Sequence, residues 1–218
     1  MVHQAALAKC DMDDGLQEGI ISDPVHCKFD PEMLLCKAGK IKQCLSPPQV
    51  QAVKNIYGAP VTSKGVRLST QGVFPGSEEN WSEMFEHTWG DEYFPSAIFD
   101  YYETVEKTMG GRAATQDFFR LFTIPGMNPC SEGDGAFAID CLSYLEEWVE
   151  RGRPPDLMIG AHVRNLPKFG KYALKMPLGS DLPIAFTRPV YPYPLHAMYK
   201  GSGDSNAAAS FVPADPQQ

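Results

Sequence analysis

Four of the six cysteines, Cys10, Cys27, Cys36 and Cys44, crowd into one short stretch rich in Asp, Gly and Pro. A segment of that composition cannot bury enough apolar surface to hold itself together, so covalent or metal cross-links must do so. No CxxC pair occurs, and the Cys and His spacings fit no zinc module. Two local disulfides are the better reading, which implies an oxidising compartment. The sequon Asn80-Trp81-Ser82 agrees with secretion. The opening run from Met1 to Cys10 lacks the apolar core of a signal peptide. That tension is a first hint that the true N-terminus lies elsewhere.

Between Cys10 and Cys27 the chain is acidic. Asp11, Asp13, Asp14 and Glu18 are close together, with Gly15 and Gly19 among them. Like charges so near repel unless a cation neutralises them. Calcium does this with six to eight hard oxygens from carboxylates and carbonyls, and glycines let the chain wrap tightly. A Cys10–Cys27 disulfide would hold such a loop closed. It is not an EF-hand: counting from Asp11, position five is Gly15 and the required glycine at position six is Leu16. From spacing alone, a solvated acidic turn with helix-capping aspartates competes equally with a metal site.

The formal net charge is −8, with no run of Lys or Arg. This argues against nucleic acid or an anionic membrane surface as partner. No apolar stretch reaches transmembrane length.

Ser46, Pro47 and Gln49 announce a helix by a capping box, its apolar stripe being Val50, Val53, Ile56 and Tyr57, with Gly58 as its stop. A second helix is expected over about 97–109, stopped by Gly110 and Gly111. The run 117–124 reads as a buried strand ended by Pro125-Gly126, and a third helix is expected over about 137–151. After Arg153 the chain reads as Pro-rich and irregular, with a frayed end at 214–218. Helix, strand, loop, helix suits one unit of an α/β sheet, so a catalytic residue should be sought in the loop 125–135.

The Cys10–Cys27 run, with its Asp14-Gly15-Leu16 and Glu18-Gly19-Ile20-Ile21, resembles the calcium loop of the tannase/feruloyl esterase family. Further segments resemble that family in order. They are Cys36 and Cys44 with the helix after them, Phe74-Pro75-Gly76-Ser77-Glu78 through Trp81, Ala113 to Cys130, Trp148 to Gly152, and Arg188 through Asp204. The resemblance implies an α/β fold: the C-terminal part of an α/β-hydrolase core (89–218) and part of a disulfide-stapled lid (1–88). It also implies a second disulfide, Cys36–Cys44. The implied calcium ligands are the side chains of Asp11, Asp14 and Glu18 and the carbonyls of Leu16 and Ile20. Glu18 stands where the family usually has Asp. The implied activity is hydrolysis of phenolic, gallate- or ferulate-like esters by a secreted enzyme.

The catalytic pattern then breaks. Serine attacks the acyl carbon, histidine takes the proton, aspartate orients the histidine. No serine here stands in a G-x-S-x-G elbow; Ser131 has Gly133 after it but Pro129 before it. In the family a histidine closes the run Pro-Gly-Met-x-His-Cys. In Pro125-Gly126-Met127-Asn128-Pro129-Cys130 that position is Pro129, which accepts no proton. Asp91 is the candidate acid by resemblance, with an ordinary surface aspartate as the alternative, because the family's strand before it has no counterpart between Glu78 and Asp91. His3, His26, His87, His162 and His196 read as surface or structural residues. Cys130 loses its family partner, with Cys141 a substitute unless both are free. The expectation is a truncated, inactive esterase chain. The competing readings are a subunit completing a site in trans and a secreted calcium- or ligand-binding module that reuses the lid.

Overall fold

The computed structural model describes residues 1–39, 42–81, 95–127, 133–164 and 183–216. They fall into two units. One comprises Met1–Cys10 with Cys27–Gln116, the other Asp11–His26 with Asp117–Gln218.

The first unit opens with helix α1, Val2–Cys10, which the sequence reading missed. Its only buried residues are Ala6 and Cys10, so it has almost no apolar stripe to announce it. Helix α2, Pro47–Tyr57, starts as expected, the Gln49 side chain accepting from Ser46 N at 2.8 Å. It stops at Gly58 with φ −70°, not in the left-handed region. Glycine suits that position for another reason: a Cβ would sit 3.0 Å from the Lys54 carbonyl. Leu45, Val50 and Val53 form the core, with Val2, Leu34, Tyr57 and Trp81 packed against them. The Cys36–Cys44 bond forms.

The segment 74–81 is tied into this unit by polar contacts. Tyr57 Oη donates to Glu78, whose carboxylate also accepts from Gly76 N at 3.0 Å and meets His3 Nδ1 at 3.1 Å. Trp81 Nε1 donates to Ser77 Oγ at 3.0 Å. Ser82 of the sequon lies outside the described residues. Helices α3, Pro95–Thr108, and α4, Arg112–Gln116, complete the unit.

The second unit departs further from expectation. The run 117–124 is not a strand; it contributes one isolated bridge, Phe122 to Pro192. Phe122 and Ile124 pack inward while Phe118 is exposed, so its bulky residues do not share one buried ladder. The third helix is shorter than expected: α5 is Cys141–Arg151. Asp140 caps it, accepting from Ser143 N at 3.2 Å, and Gly152 ends it at φ +61°. The preceding residues 136–139 are buried extended chain, Ala138 bridging to Ala161. Ile139 therefore belongs to a strand-like approach, not to the helix stripe.

After Arg153, where the sequence predicts irregular chain, the described residues include four strands. Strands β1, Met158–Val163, and β2, Ile184–Val190, pair antiparallel from Met158↔Val190 to Val163↔Ile184, with a bulge at His162/Val163. Strands β3, His196–Tyr199, and β4, Phe211–Ala214, pair His196↔Ala214 through Tyr199↔Phe211. The sequence between these strands is dense in Pro and Gly, which hid the short apolar runs. Two small cores are seen among the described residues. One is Phe137, Ala138, Ala161 and Val163; the other is Ile139, Met158 and Val190.

Candidate functional site

The Cys10–Cys27 disulfide joins the ends of the acidic loop, with 5.7 Å between the Cα atoms. Asp11–Asp14 form a single 3-10 turn. Gly15 and Gly19 hold φ of +87° and +81°, conformations that strongly favour glycine. The loop therefore folds back on itself; Asp11, Asp14 and Glu18 turn inward, and Asp13 stays exposed.

Asp11 and Asp14 are both buried. Asp11 accepts from Glu18 N at 3.0 Å and from Gly19 N at 3.0 Å. Asp14 accepts from Leu16 N at 2.9 Å and from Ser22 Oγ at 2.6 Å. Glu18 faces Arg188, whose Nη2 donates to Oε2. The Arg188 guanidinium is held between two rings, 4.6 Å from the Phe186 centroid and 4.5 Å from that of Phe211. Burial pushes the Asp14 and Glu18 carboxyls above their ordinary values. The charge of Asp11 adds to both, while Ser22 and Leu16 (for Asp14) and Arg188 (for both) pull down.

Three inward carboxylates thus face one guanidinium, a deficit of two positive charges. Neither the Leu16 nor the Ile20 carbonyl accepts a main-chain N–H among the described residues. Hard oxygen donors, burial and that deficit fit a divalent cation of the calcium type. Asp11 Oδ1 already accepts from two amides, Glu18 N and Gly19 N, so a cation would meet Asp11 through Oδ2 and Asp14 through either oxygen, each of which accepts one bond. As placed, no three His, Cys, Asp or Glu side chains among the described residues converge as a ready ligand set. Binding would therefore draw the carboxylates together.

Beside this loop, Asp13, Asp14, Asp23, His26 and His196 line a cavity of about 20 Å³. Asp23 Oδ1 lies 2.8 Å from His26 Nδ1, and its other oxygen lies 4.0 Å from His196 Nδ1, which is buried without a hydrogen-bond partner. A second cavity, about 40 Å³, is mostly apolar, lined by residues such as Ile20, Ile124, Phe186 and Val190. The sequence reading missed Ser22 and Arg188 as partners of the acidic loop. Arg188 stood inside a recognised motif, but nothing local ties it to Glu18, 170 residues away.

Asp91, His87, Pro129, Cys130 and Ser131 lie outside the described residues. Cys141 is an exposed free thiol. Among the described residues no serine hydroxyl is hydrogen-bonded to a histidine. His3 is held by Glu78, His26 by Asp23, and His162 by the Gly135 carbonyl at 3.0 Å and by the Phe186 ring stacked at 4.9 Å.

The family profile described as "Tannase and feruloyl esterase" matches residues 1–96 and 92–214. The chain belongs to the tannase and feruloyl esterase family. Mono(2-hydroxyethyl) terephthalate hydrolase from Piscinibacter sakaiensis is 28% identical over 325 aligned residues, covering 99% of this chain and 51% of the relative. Probable feruloyl esterase B-2 from Aspergillus flavus is 25% identical, covering 78% and 48%. In the solved structures, an esterase from Aspergillus oryzae superposes with a TM-score of 0.76 at 23% identity, covering 97% of this chain and 55% of that one. Feruloyl esterase B from the same organism gives 0.73, again at 23% identity, covering 98% and 55%. The chain shares the fold of these α/β-hydrolase-type esterases and spans about half the length of the relatives it matches. The profile match of this family member divides at 92–96, and 325 aligned positions against 218 residues mean that the terephthalate-ester relative carries residues inside the match that this chain lacks.

Proposed function

We propose that this chain carries the calcium loop and the C-terminal part of a secreted carboxylic ester hydrolase for phenolic, gallate- or ferulate-like esters, and that the polypeptide itself does not turn esters over. In this reading 1–88 is lid and 89–218 is core, and Asp91 is the acid of a triad whose other members are missing. The observation that carries it is Pro129 in the position of the general base, in a sequence without a G-x-S-x-G serine. Acyl transfer needs a nucleophile whose proton is taken as it attacks. Residues of such a constellation act as a unit, so with serine and base both absent the activity collapses to what binding alone provides.

Asp11, Asp14 and Glu18, with the Leu16 and Ile20 carbonyls, would hold Ca²⁺ in this proposal. The ion supplies charge neutralisation and cross-linking of the loop, not chemistry on the ester. Arg188 positions Glu18, Ser22 positions Asp14, and the amides of Glu18 and Gly19 position Asp11. The disulfides agree with an oxidising, extracellular setting.

The cavities of about 20 and 40 Å³ seen among the described residues do not by themselves favour the alternative of a phenolic-binding module. The larger one has room for a few waters, whereas ligand pockets run to roughly 300 Å³ or more.

The test is hydrolysis of ethyl ferulate and methyl gallate by the purified chain, with and without Ca²⁺. Rates at the buffer blank are expected. Turnover accompanied by covalent labelling with a serine-directed phosphonate would overturn the proposal.

A further inference from the structure

Neither the ester chemistry nor the calcium ligand set uses the histidines that line the cavity of about 20 Å³ with Asp13, Asp14 and Asp23. All five lining residues, His26 and His196 included, belong to the second unit. Asp23 and His26 come from one turn. His26 N donates to the Asp23 carbonyl at 3.3 Å, and the residue after it, Cys27, is tied to Cys10. His196 opens strand β3, which pairs with β4 and runs against the acidic loop: a Cβ on Gly15 would sit 3.6 Å from the Tyr199 carbonyl oxygen. Backbone structure therefore brings two imidazoles and a carboxylate to one small polar space.

His196 is the residue out of place. Its side chain is 8% exposed, and its Nδ1 is buried without a hydrogen-bond partner. Such atoms are rare, because each has given up its water for nothing. Asp23 Oδ2 stands 4.0 Å from that nitrogen, beyond hydrogen-bond reach. The same oxygen lies 2.9 Å from His26 Nδ1. Ligands about 2.1 Å from a tetrahedral zinc ion lie roughly 3.4 Å from each other. The two separations, 2.9 and 4.0 Å, bracket that value and reach it by shifts of about half an ångström each.

We infer that His26, His196 and Asp23 form a binding site for a divalent transition ion of the zinc class. Imidazole nitrogens set this site apart from a calcium site, whose ligands are oxygens. Two neutral imidazoles and a carboxylate are three protein ligands, which leaves a fourth position to water. Asp13 and Asp14 at the cavity wall add negative charge that favours a cation. Without the ion, a proton on His26 Nδ1 satisfies Asp23, and no three such side chains among the described residues converge. The ion takes the place of that proton, His26 carries its proton on Nε2 instead, and His196 Nδ1 gains the partner it lacks.

The site needs neither ester turnover nor bound calcium, so its test is separate from both. Zn²⁺ is titrated calorimetrically into the intact, disulfide-bonded chain, with and without millimolar Ca²⁺. One site of micromolar or tighter affinity is expected under both conditions. His26→Ala and His196→Phe should each weaken it by about 100-fold, since losing even an outer partner of a metal ligand costs roughly 10- to 100-fold. Cys141→Ser, which removes the exposed free thiol, should leave it unchanged. Zn²⁺ should raise Tm in the parent and in Cys141→Ser but not in His26→Ala. If circular dichroism shows that His196→Phe misfolds, His26→Ala decides alone, its side chain being 35% exposed. No Zn²⁺ site in the parent, or binding that survives the histidine variants, would overturn the inference. So would binding lost with Cys141→Ser, or binding that Ca²⁺ competes away, because the ion would then sit on the thiol or in the oxygen loop.

Discussion

Arg188→Met should destabilise this protein by about 3–5 kcal/mol at neutral pH, the cost of breaking a buried pair by removing one partner. The Arg188 side chain is 12% exposed and that of Glu18 is 15% exposed, so water screens the pair poorly. Without the guanidinium, Glu18 keeps its charge beside Asp11 and Asp14 with nothing opposite. The two ring contacts with Phe186 and Phe211 are lost as well, although the methionine thioether recovers part of that packing. A loss of this size lowers Tm by roughly 6–20 °C in a protein of this length. Arg188→Lys should fall between the two, since an ammonium keeps the charge but loses the forked contact and the stacking. The decisive measurement is a double-mutant cycle by urea unfolding. Adding Glu18→Gln to Arg188→Met should restore more than half of the lost stability, because it removes the stranded charge. If Arg188→Met costs under 1 kcal/mol, or Glu18→Gln restores nothing, the claim that this pair governs the loop is wrong.

Millimolar Ca²⁺ should raise Tm by several degrees in the parent chain, ligand at 100 times Kd being worth about 2.7 kcal/mol; the shift should vanish in Asp14→Ala, and a flat titration of the parent removes the site. The Tyr57 hydroxyl, raised above its ordinary value by burial and then by Glu78, gives stability that is present below about pH 10 and lost as pH rises through the folded value. Tyr57→Phe should therefore cost about 1 kcal/mol at pH 8, a low figure because Tyr57 is partly exposed, and the gap in urea midpoints should narrow at pH 11; an unchanged gap contradicts the assignment. Replacing Cys10 and Cys27 with alanine opens a link of 17 residues and should cost about 3 kcal/mol, read as a lower Tm that millimolar Ca²⁺ partly restores; a loss below 1 kcal/mol would show that the acidic loop closes without it.

Local signals were legible where the physics is local. The capping box at Ser46 and Gln49 and the stop at Gly152 depend on residues a few positions apart, the two disulfides span 17 and 8 positions within one segment, and all appear. The failures share a different cause. Ile139 lies in helical register with Leu142, yet pairing of Ala138 with Ala161 claims its neighbourhood as extended chain. Phe118 to Ile124 have strand composition but lack a partner ladder, because strand propensity is realised only by what lies alongside. Strands β1–β4 hid among prolines for the converse reason: their partners, not their own periodicity, define them.

The acidic loop shows the same division. Its carboxylates and glycines leave a metal site and a solvated acidic turn equally open, and the ligand list comes only from the family resemblance. The cation that the structure does place there is Arg188, delivered by a strand from the far end of the chain. Since Arg188 supplies one positive charge against three carboxylates, a divalent ion would complement it and not replace it. The guanidinium holds Glu18 through hydrogen bonds that a calcium ion cannot reproduce, while the ion would satisfy Asp11 and Asp14, which the arginine does not bond. If calcium binds as proposed, the loop would carry two cations of different kinds, and because Arg188 positions Glu18 as a ligand, Arg188→Met should shrink the rise in Tm that Ca²⁺ produces.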